Sequence, residues 1–306
     1  MEENGSLQKS LKWLKGLSKG HELEALTLEG LLIVDAQKGS IRYNFVVSSR
    51  VSDPDGNWHV GAMATLIDDL GFTQLPTMSN PPLISISQVE IEAKVIAEKG
   101  KLSLVVVEIR RKRKGGLIAL GKQWMATTKG SINAVQLKSQ HILDAEGLKM
   151  EEDAILQKSL KWLRDLSKGN ISHELEALTL EGLQIVHAQK GSIRCNFVVP
   201  TRASDPDGNW HVGAMATLID DVAATAIYSV VDHVKLSLDF SISFYSTAKI
   251  QEEVEIEAKV IGEKGSLTQV VVEVTRKGNR ELIALGKQWM ASDKKGMKPS
   301  QVSSKL

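Results

Sequence analysis

The sequence predicts an α+β protein built twice over, each copy an antiparallel sheet carrying one central apolar helix. Three observations lead there. The 18-residue stretch 52–69 recurs without a change as 204–221. Further matched stretches flank it, among them 21–31, which is identical to 173–183. Around the shared helix, segments alternate apolar and polar residues between turn signals, the period of half-buried strands. Such a duplication makes two domains the natural division of 306 residues.

The elements follow in order. Leu7, Leu11, Leu14 and Leu17 fall at helical spacing with lysines between them, and 156–166 repeats the pattern, so each copy should open with a short amphipathic helix. Two alternating runs, 31–36 and 41–47, are joined by a Lys38-Gly39-Ser40 turn and predict a β-hairpin. The repeated stretch starts with Asp-Pro-Asp-Gly-Asn, a turn composition, and passes through Trp-His into an Ala-rich helix. In the second copy, 212–231 carries no charge besides Asp220 and Asp221, and Gly213, Thr217, Asp220, Asp221, Ala224 and Thr225 share one helical stripe. Two readings stay open: a half-solvated helix showing its acids to water, or a core helix holding a carboxylate for chemistry.

Four more strands are expected at 234–245, which alternates strictly, and at 254–261, 267–275 and 281–290. The first copy has 19 residues (70–88) where the second has 32 (222–253), and Gly71, Pro76, Pro81 and Pro82 fall there. Its helix should therefore be truncated and its next strand shortened or absent. The boundaries are a first unit at 1–128, truncated after its central helix, a linker at 129–150, a complete second unit at 151–292 and a flexible tail at 293–306.

Lys plus Arg number 38 against 37 Asp plus Glu, so no overall field favours nucleic acid. No run is long enough for a membrane span, and the acidic start, Met1-Glu2-Glu3, is unlike a signal peptide. Cys195 is the single cysteine and sits in an apolar strand, so it reads as a core residue and no intrachain disulfide can form, which suits a reducing compartment. The tail ends in Ser304-Lys305-Leu306, the address read by the peroxisomal import receptor. Peroxisomal delivery is the expectation, with the cytosol as fallback.

No nucleophile elbow, phosphate-binding loop, dinucleotide fingerprint or zinc motif appears. The basic run 110–114 reads as a solvated hairpin turn, with contact to a ligand phosphate as the alternative. What remains is His211 and Gly213 at a helix start with Asp220 two turns on. Helix-start N–H groups can polarise a carbonyl oxygen, and a carboxylate can activate water.

A helix opening His-x-Gly, an Asp along it, a hairpin before and an antiparallel sheet after resemble the hotdog-fold acyl-coenzyme A thioesterases, in the acyl-coenzyme A thioesterase 13 (thioesterase superfamily member 2) branch. The resemblance covers essentially all of the second copy and most of the first. It implies a tandem double hotdog with its first unit partly deleted. It also implies that His211, Val212 and Gly213 form the carbonyl-polarising helix start, that Asp220 is catalytic, and that Ser237, in Ser-Leu-Asp-Phe-Ser-Ile, helps orient water. In the first copy His59, Val60, Gly61 and Asp68 match, whereas Ser237 has no secure counterpart.

Two positions depart from the family. Val212 replaces a glycine, and Asp205 stands where the family has an oxyanion-assisting Asn, leaving Asn209 and Asn57 as candidate carbonyl-polarising groups. Family sites form between two hotdog units, which implies an intrachain pseudo-dimer or a homo-oligomer. One site would join Asp220 and Ser237 to the His59–Gly61 loop, and the other would join Asp68 to the His211–Gly213 loop. The implied activity is hydrolysis of acyl-CoA to free acid and coenzyme A by carboxylate-activated water, with neither cofactor nor metal, the site holding Ser237 carrying most of it. The alternatives are a non-catalytic acyl-CoA-binding or scaffolding protein and hydratase-type chemistry on an enoyl-CoA.

Overall fold

The computed structural model describes residues 16, 21–37, 40–52, 57–71, 88–99, 102–112, 116–126, 154–171, 174–231 and 233–293. The first copy supplies α1 (Glu22–Thr27), β1 (Leu32–Gln37), β2 (Ser40–Val46), α2 (Val60–Gly71), β3 (Gln88–Lys99), β4 (Leu102–Arg111) and β5 (Leu117–Ala126). The second supplies α3 (Ala154–Ser167), α4 (Glu174–Thr179), β6 (Gln184–Gln189), β7 (Ser192–Val198), α5 (Val212–Tyr228), β8 (His233–Phe244), β9 (Glu253–Lys264), β10 (Leu267–Arg276) and β11 (Leu282–Asp293). They gather into two compact units. The first takes in Met1–Ser131 with Ile171–Thr179 and Arg202–Thr217; the second takes in Ile132–Asn170, Leu180–Thr201 and Leu218–Leu306. The start of α5 thus belongs to the first unit and the remainder to the second.

In the first unit an antiparallel sheet runs in the order β1-β2-β3-β4-β5. The alternation of β2 sends Ile41, Tyr43 and Phe45 inward. They meet Leu66 and Leu70 of α2 and Ile91, Val107 and Ile109 of the neighbouring strands in one core. Each large side chain so buried stabilises the fold by about 1.5–3 kcal/mol through the apolar area removed from water. The helix sits close on the sheet because Gly121 of β5 has no side chain: a Cβ there would overlap Ile67.

The second unit holds six strands in the order β6-β7-β9-β10-β11-β8. Its central helix α5 is 17 residues long, and Leu218, Ile219, Val222, Ala223, Ala226 and Ile227 are fully buried. Gly286 of β11 lies beneath Ile219 as Gly121 lies beneath Ile67. The amphipathic α3 buries Leu156, Leu160, Leu163 and Leu166, and Trp162 meets Tyr228 edge-on with ring centroids 6.4 Å apart. Cys195 is buried on β7, and burial pushes its thiol up to about 12, so it is an inert core residue.

Both units therefore have an antiparallel sheet wrapped on one central helix, the hotdog arrangement. One expectation needs correction. The strict alternation of 234–245 predicts one apolar face along the whole strand, yet the pairing of β8 with β11 skips Leu238: Asp239 faces Trp289 while Ser237 faces Met290. A bulge there inverts the faces of Ser237 and Leu236, a second register shift follows at Lys235, and Leu236 and Leu238 are each left 53% exposed.

Among the described residues the first sheet has no sixth strand. The helix expected at 7–17 lies, apart from Gly16, outside the described residues. So do the segment 72–87, the linker 129–150, residues 113 and 114 of the basic run, and residues 294–306 with Ser304-Lys305-Leu306. No described helix is long and apolar enough to cross a membrane.

Candidate active site

The loop before α5 is closed by its own turn chemistry. Asp205 Oδ1 accepts the N–H groups of Asp207 (2.9 Å) and Asn209 (2.8 Å), Asn209 Nδ2 donates to Asp205 Oδ2 at 2.8 Å, and Gly208 adopts φ 73°. The Asn209 amide is thus engaged with its own loop, and Asn57 of the first copy is exposed. His211 N–H donates to Ala203 O at 2.9 Å, and Gly213 N–H donates to His211 Nδ1 at 3.0 Å. The first copy repeats this with His59 N–H to Val51 O at 3.0 Å and Gly61 N–H to His59 Nδ1 at 2.9 Å.

Each imidazole therefore caps its own helix, satisfying one of the N–H groups that a helix start leaves over. The N–H groups of Val60 and Val212, one residue earlier, have no partner among the described residues and remain as donors. The glycine in His-x-Gly has a packing reason. A Cβ on Gly61 would overlap Thr217, and one on Gly213 would overlap Thr65, all within the first unit. Both threonines turn their hydroxyls back to the helix, Thr65 Oγ1 to Gly61 O and Thr217 Oγ1 to Gly213 O, each at 3.0 Å.

Behind the His rings of the first unit lie buried acids. His211 Nε2 is 3.6 Å from Asp69 Oδ1 and 3.7 Å from Glu24 Oε1, and His59 Nε2 is 3.8 Å from Glu176 Oε1. Burial raises the pKa of Asp69 and of Glu24, partly offset in each by His211. Burial also pushes Asp68 up to about 6, against the pull of His211 and a 2.6 Å hydrogen bond from Gln123 Nε2.

For His211, burial favours the neutral ring, while Asp69, Asp68 and Glu24 outweigh it and move the pKa to about 9. The Gly213 N–H opposes that charge, because a second ring proton on Nδ1 would face a donor. Whichever charge the ring carries, an Nε2 proton faces Asp69, while Nδ1 is the atom that the Gly213 N–H reaches. Asp68, Asp69 and His211 bring oxygen and nitrogen atoms within 4.8 Å of one another, a donor set able to hold a divalent cation.

In the second unit both acids of α5 are buried, Asp220 at 8% and Asp221 at 3% exposure, which removes the half-solvated reading of the helix. Ser237 Oγ donates to Asp220 Oδ1 at 3.2 Å. Gln288 Nε2 donates to Ser237 Oγ at 2.7 Å and also to Asp220 Oδ1. The bulge at Leu238 makes this possible: Ser237 opposes Met290, and so shares the inward face with Gln288 two residues away on β11.

Gln288 and its counterpart Gln123 were not singled out by sequence reasoning. A signal existed, since both lie two residues beyond an inward glycine in the repeated Gly-Lys-Gln-Trp-Met of 121–125 and 286–290. A hollow of about 240 Å³ lined by Leu163, Arg164, Ser167, Leu183, Gln184 and Ile185 contains none of these residues.

A protein-family model described as Thioesterase superfamily matches residues 207–283, which includes Asp220 and Ser237. Human acyl-coenzyme A thioesterase 13 is 28% identical over 126 residues, covering 41% of this chain and 90% of the human protein. The mouse protein of the same name is 30% identical over 109 residues, 35% of this chain and 78% of that protein. Among solved structures, zebrafish thioesterase superfamily member 2 aligns at 26% identity with a TM-score of 0.41, covering 45% of this chain and 97% of that chain. Fold and site together place the molecule in the class of hotdog-fold thioester hydrolases. Within that class the chain belongs to the thioesterase superfamily, in the acyl-coenzyme A thioesterase 13 branch.

Proposed function

We propose that the protein hydrolyses acyl-CoA thioesters to a carboxylic acid and coenzyme A, with Asp220 as the general base. The observation that carries the reading is a buried carboxylate on the central helix, hydrogen-bonded by Ser237 and Gln288, inside the segment matching the superfamily model. Water held by Asp220 attacks the thioester carbonyl and passes a proton to the carboxylate. The carbonyl oxygen gains negative charge and is met by a helix-start N–H of the kind that Val60 and Val212 offer. The C–S bond then breaks, and the departing sulfur of coenzyme A leaves as thiol with that proton. Ser237 gives its one hydroxyl proton to Asp220, and so holds the base rather than acting as nucleophile. No step calls for a metal or a cofactor.

Asp68 has the matching glutamine, but no serine partner is described for it. We therefore assign most of the turnover to Asp220. The test is release of free thiol by the purified full-length chain across straight-chain, branched and aryl-substituted acyl-CoA esters. Turnover of at least one class is expected. Saturable binding of the esters without thiol release would replace the reading with an acyl-CoA-binding function. Loss of enoyl absorbance without thiol release would replace it with hydratase chemistry.

A further inference from the structure

Resting on that reading, we infer that Gln288 is a positioning residue that sets the direction of the hydrogen bonds around the base. The amide orientation follows from its neighbour. A carboxylate only accepts, so the atom of Gln288 against Asp220 Oδ1 is the nitrogen. That nitrogen has two protons, and Ser237 Oγ stands 2.7 Å away to take the second. Because Ser237 accepts from Gln288, its own proton points to Asp220, as the 3.2 Å contact records. Two donors thus converge on Asp220 Oδ1, favour its ionised form and restrict its rotation about χ2.

Gln288 is itself rigid. It is 1% exposed, lies on a strand paired on both sides, and is flanked on its own face by Gly286 and Met290. Its Oε1 is buried with no hydrogen-bond partner among the described residues, so the side chain is held in the site at a desolvation cost that an apolar residue of the same size would avoid. A glutamine kept only to fill the core would be replaceable by methionine without loss; one that orients a base is not.

The experiment compares Gln288→Met, which keeps the length and removes both donors, with Gln288→Asn, which keeps an amide but withdraws it, and with Asp220→Ala in the full-length chain. Circular dichroism and the urea midpoint establish that each variant is folded. Gln288→Met is expected to lower kcat ~10- to 100-fold with KM changed less than about threefold. The acid limb of its pH–kcat/KM profile should move up, since the carboxylate loses the Gln288 donor and the Ser237 hydroxyl is no longer held toward it. Gln288→Asn should fall in between. A folded Gln288→Met with wild-type kcat and an unmoved acid limb, beside an inactive Asp220→Ala, would overturn the inference and leave the assignment of Asp220 standing. Full turnover in Asp220→Ala would overturn both.

Discussion

Asp68 is a carboxyl group whose charge is set by burial. With a pKa of about 6 in the folded chain against 3.8 ordinarily, it binds its proton more tightly when folded. Its contribution to stability is therefore fully present below about pH 4 and is lost as pH rises through 6, at a cost approaching about 3 kcal/mol above that. Asp68→Asn should accordingly raise the urea midpoint at pH 7.5, with the gain shrinking between pH 6 and 4 and gone below. A gain independent of pH would contradict the account. Gln123 keeps its acceptor in this variant, so the hydrogen bond does not confuse the result.

At the level of single side chains, the repeat brought out His59, His211, Asp68 and Asp220, because carboxylates on an apolar helix stand out in any sequence. That both acids of α5 are buried does not follow from hydropathy, which scores an Asp as surface wherever it lies. It depends on partners such as Gln288, 68 residues away along the chain.

Elements owe their arrangement to small local devices. The starts of α2 and α5 approach so closely that Gly61 and Gly213 face threonines with no room for a methyl group. Gly213→Ala should thus cost about 1–3 kcal/mol, read as a lowered urea midpoint, with a greater loss in the Gly61→Ala, Gly213→Ala double variant. An unchanged midpoint in both would show that the contact is looser than drawn.

The hairpin, the central helix and the later strands were readable from periodicity and turn residues, because those patterns are local. The bulge at Leu238 was not. The residues 234–244 alternate without a fault, and only the pairing with β11 shows that two residues, Leu238 and Lys235, are skipped. Ser237 is aimed by that pairing, so a register taken from periodicity alone puts Leu236 and Leu238 on the same face as Phe240, Ile242 and Phe244.

For the molecule as a whole, the two identical 18-residue stretches have unequal surroundings. Each helix keeps a His cap, a Gly–Thr contact and an Asp held by a glutamine from its own sheet. Only Asp220 has a described serine partner, on a strand that the first sheet does not have among the described residues. Duplication supplies two copies of the framework, and the chemistry is assigned chiefly to the second. Most direct is a comparison of thiol release from a turned-over acyl-CoA by Asp220→Ala and Asp68→Ala chains, each shown to be folded. Asp220→Ala should lose ~100-fold or more in kcat, as expected for removal of a general base, and Asp68→Ala should lose much less. Full activity in Asp220→Ala, or an equal loss in both, would contradict the assignment.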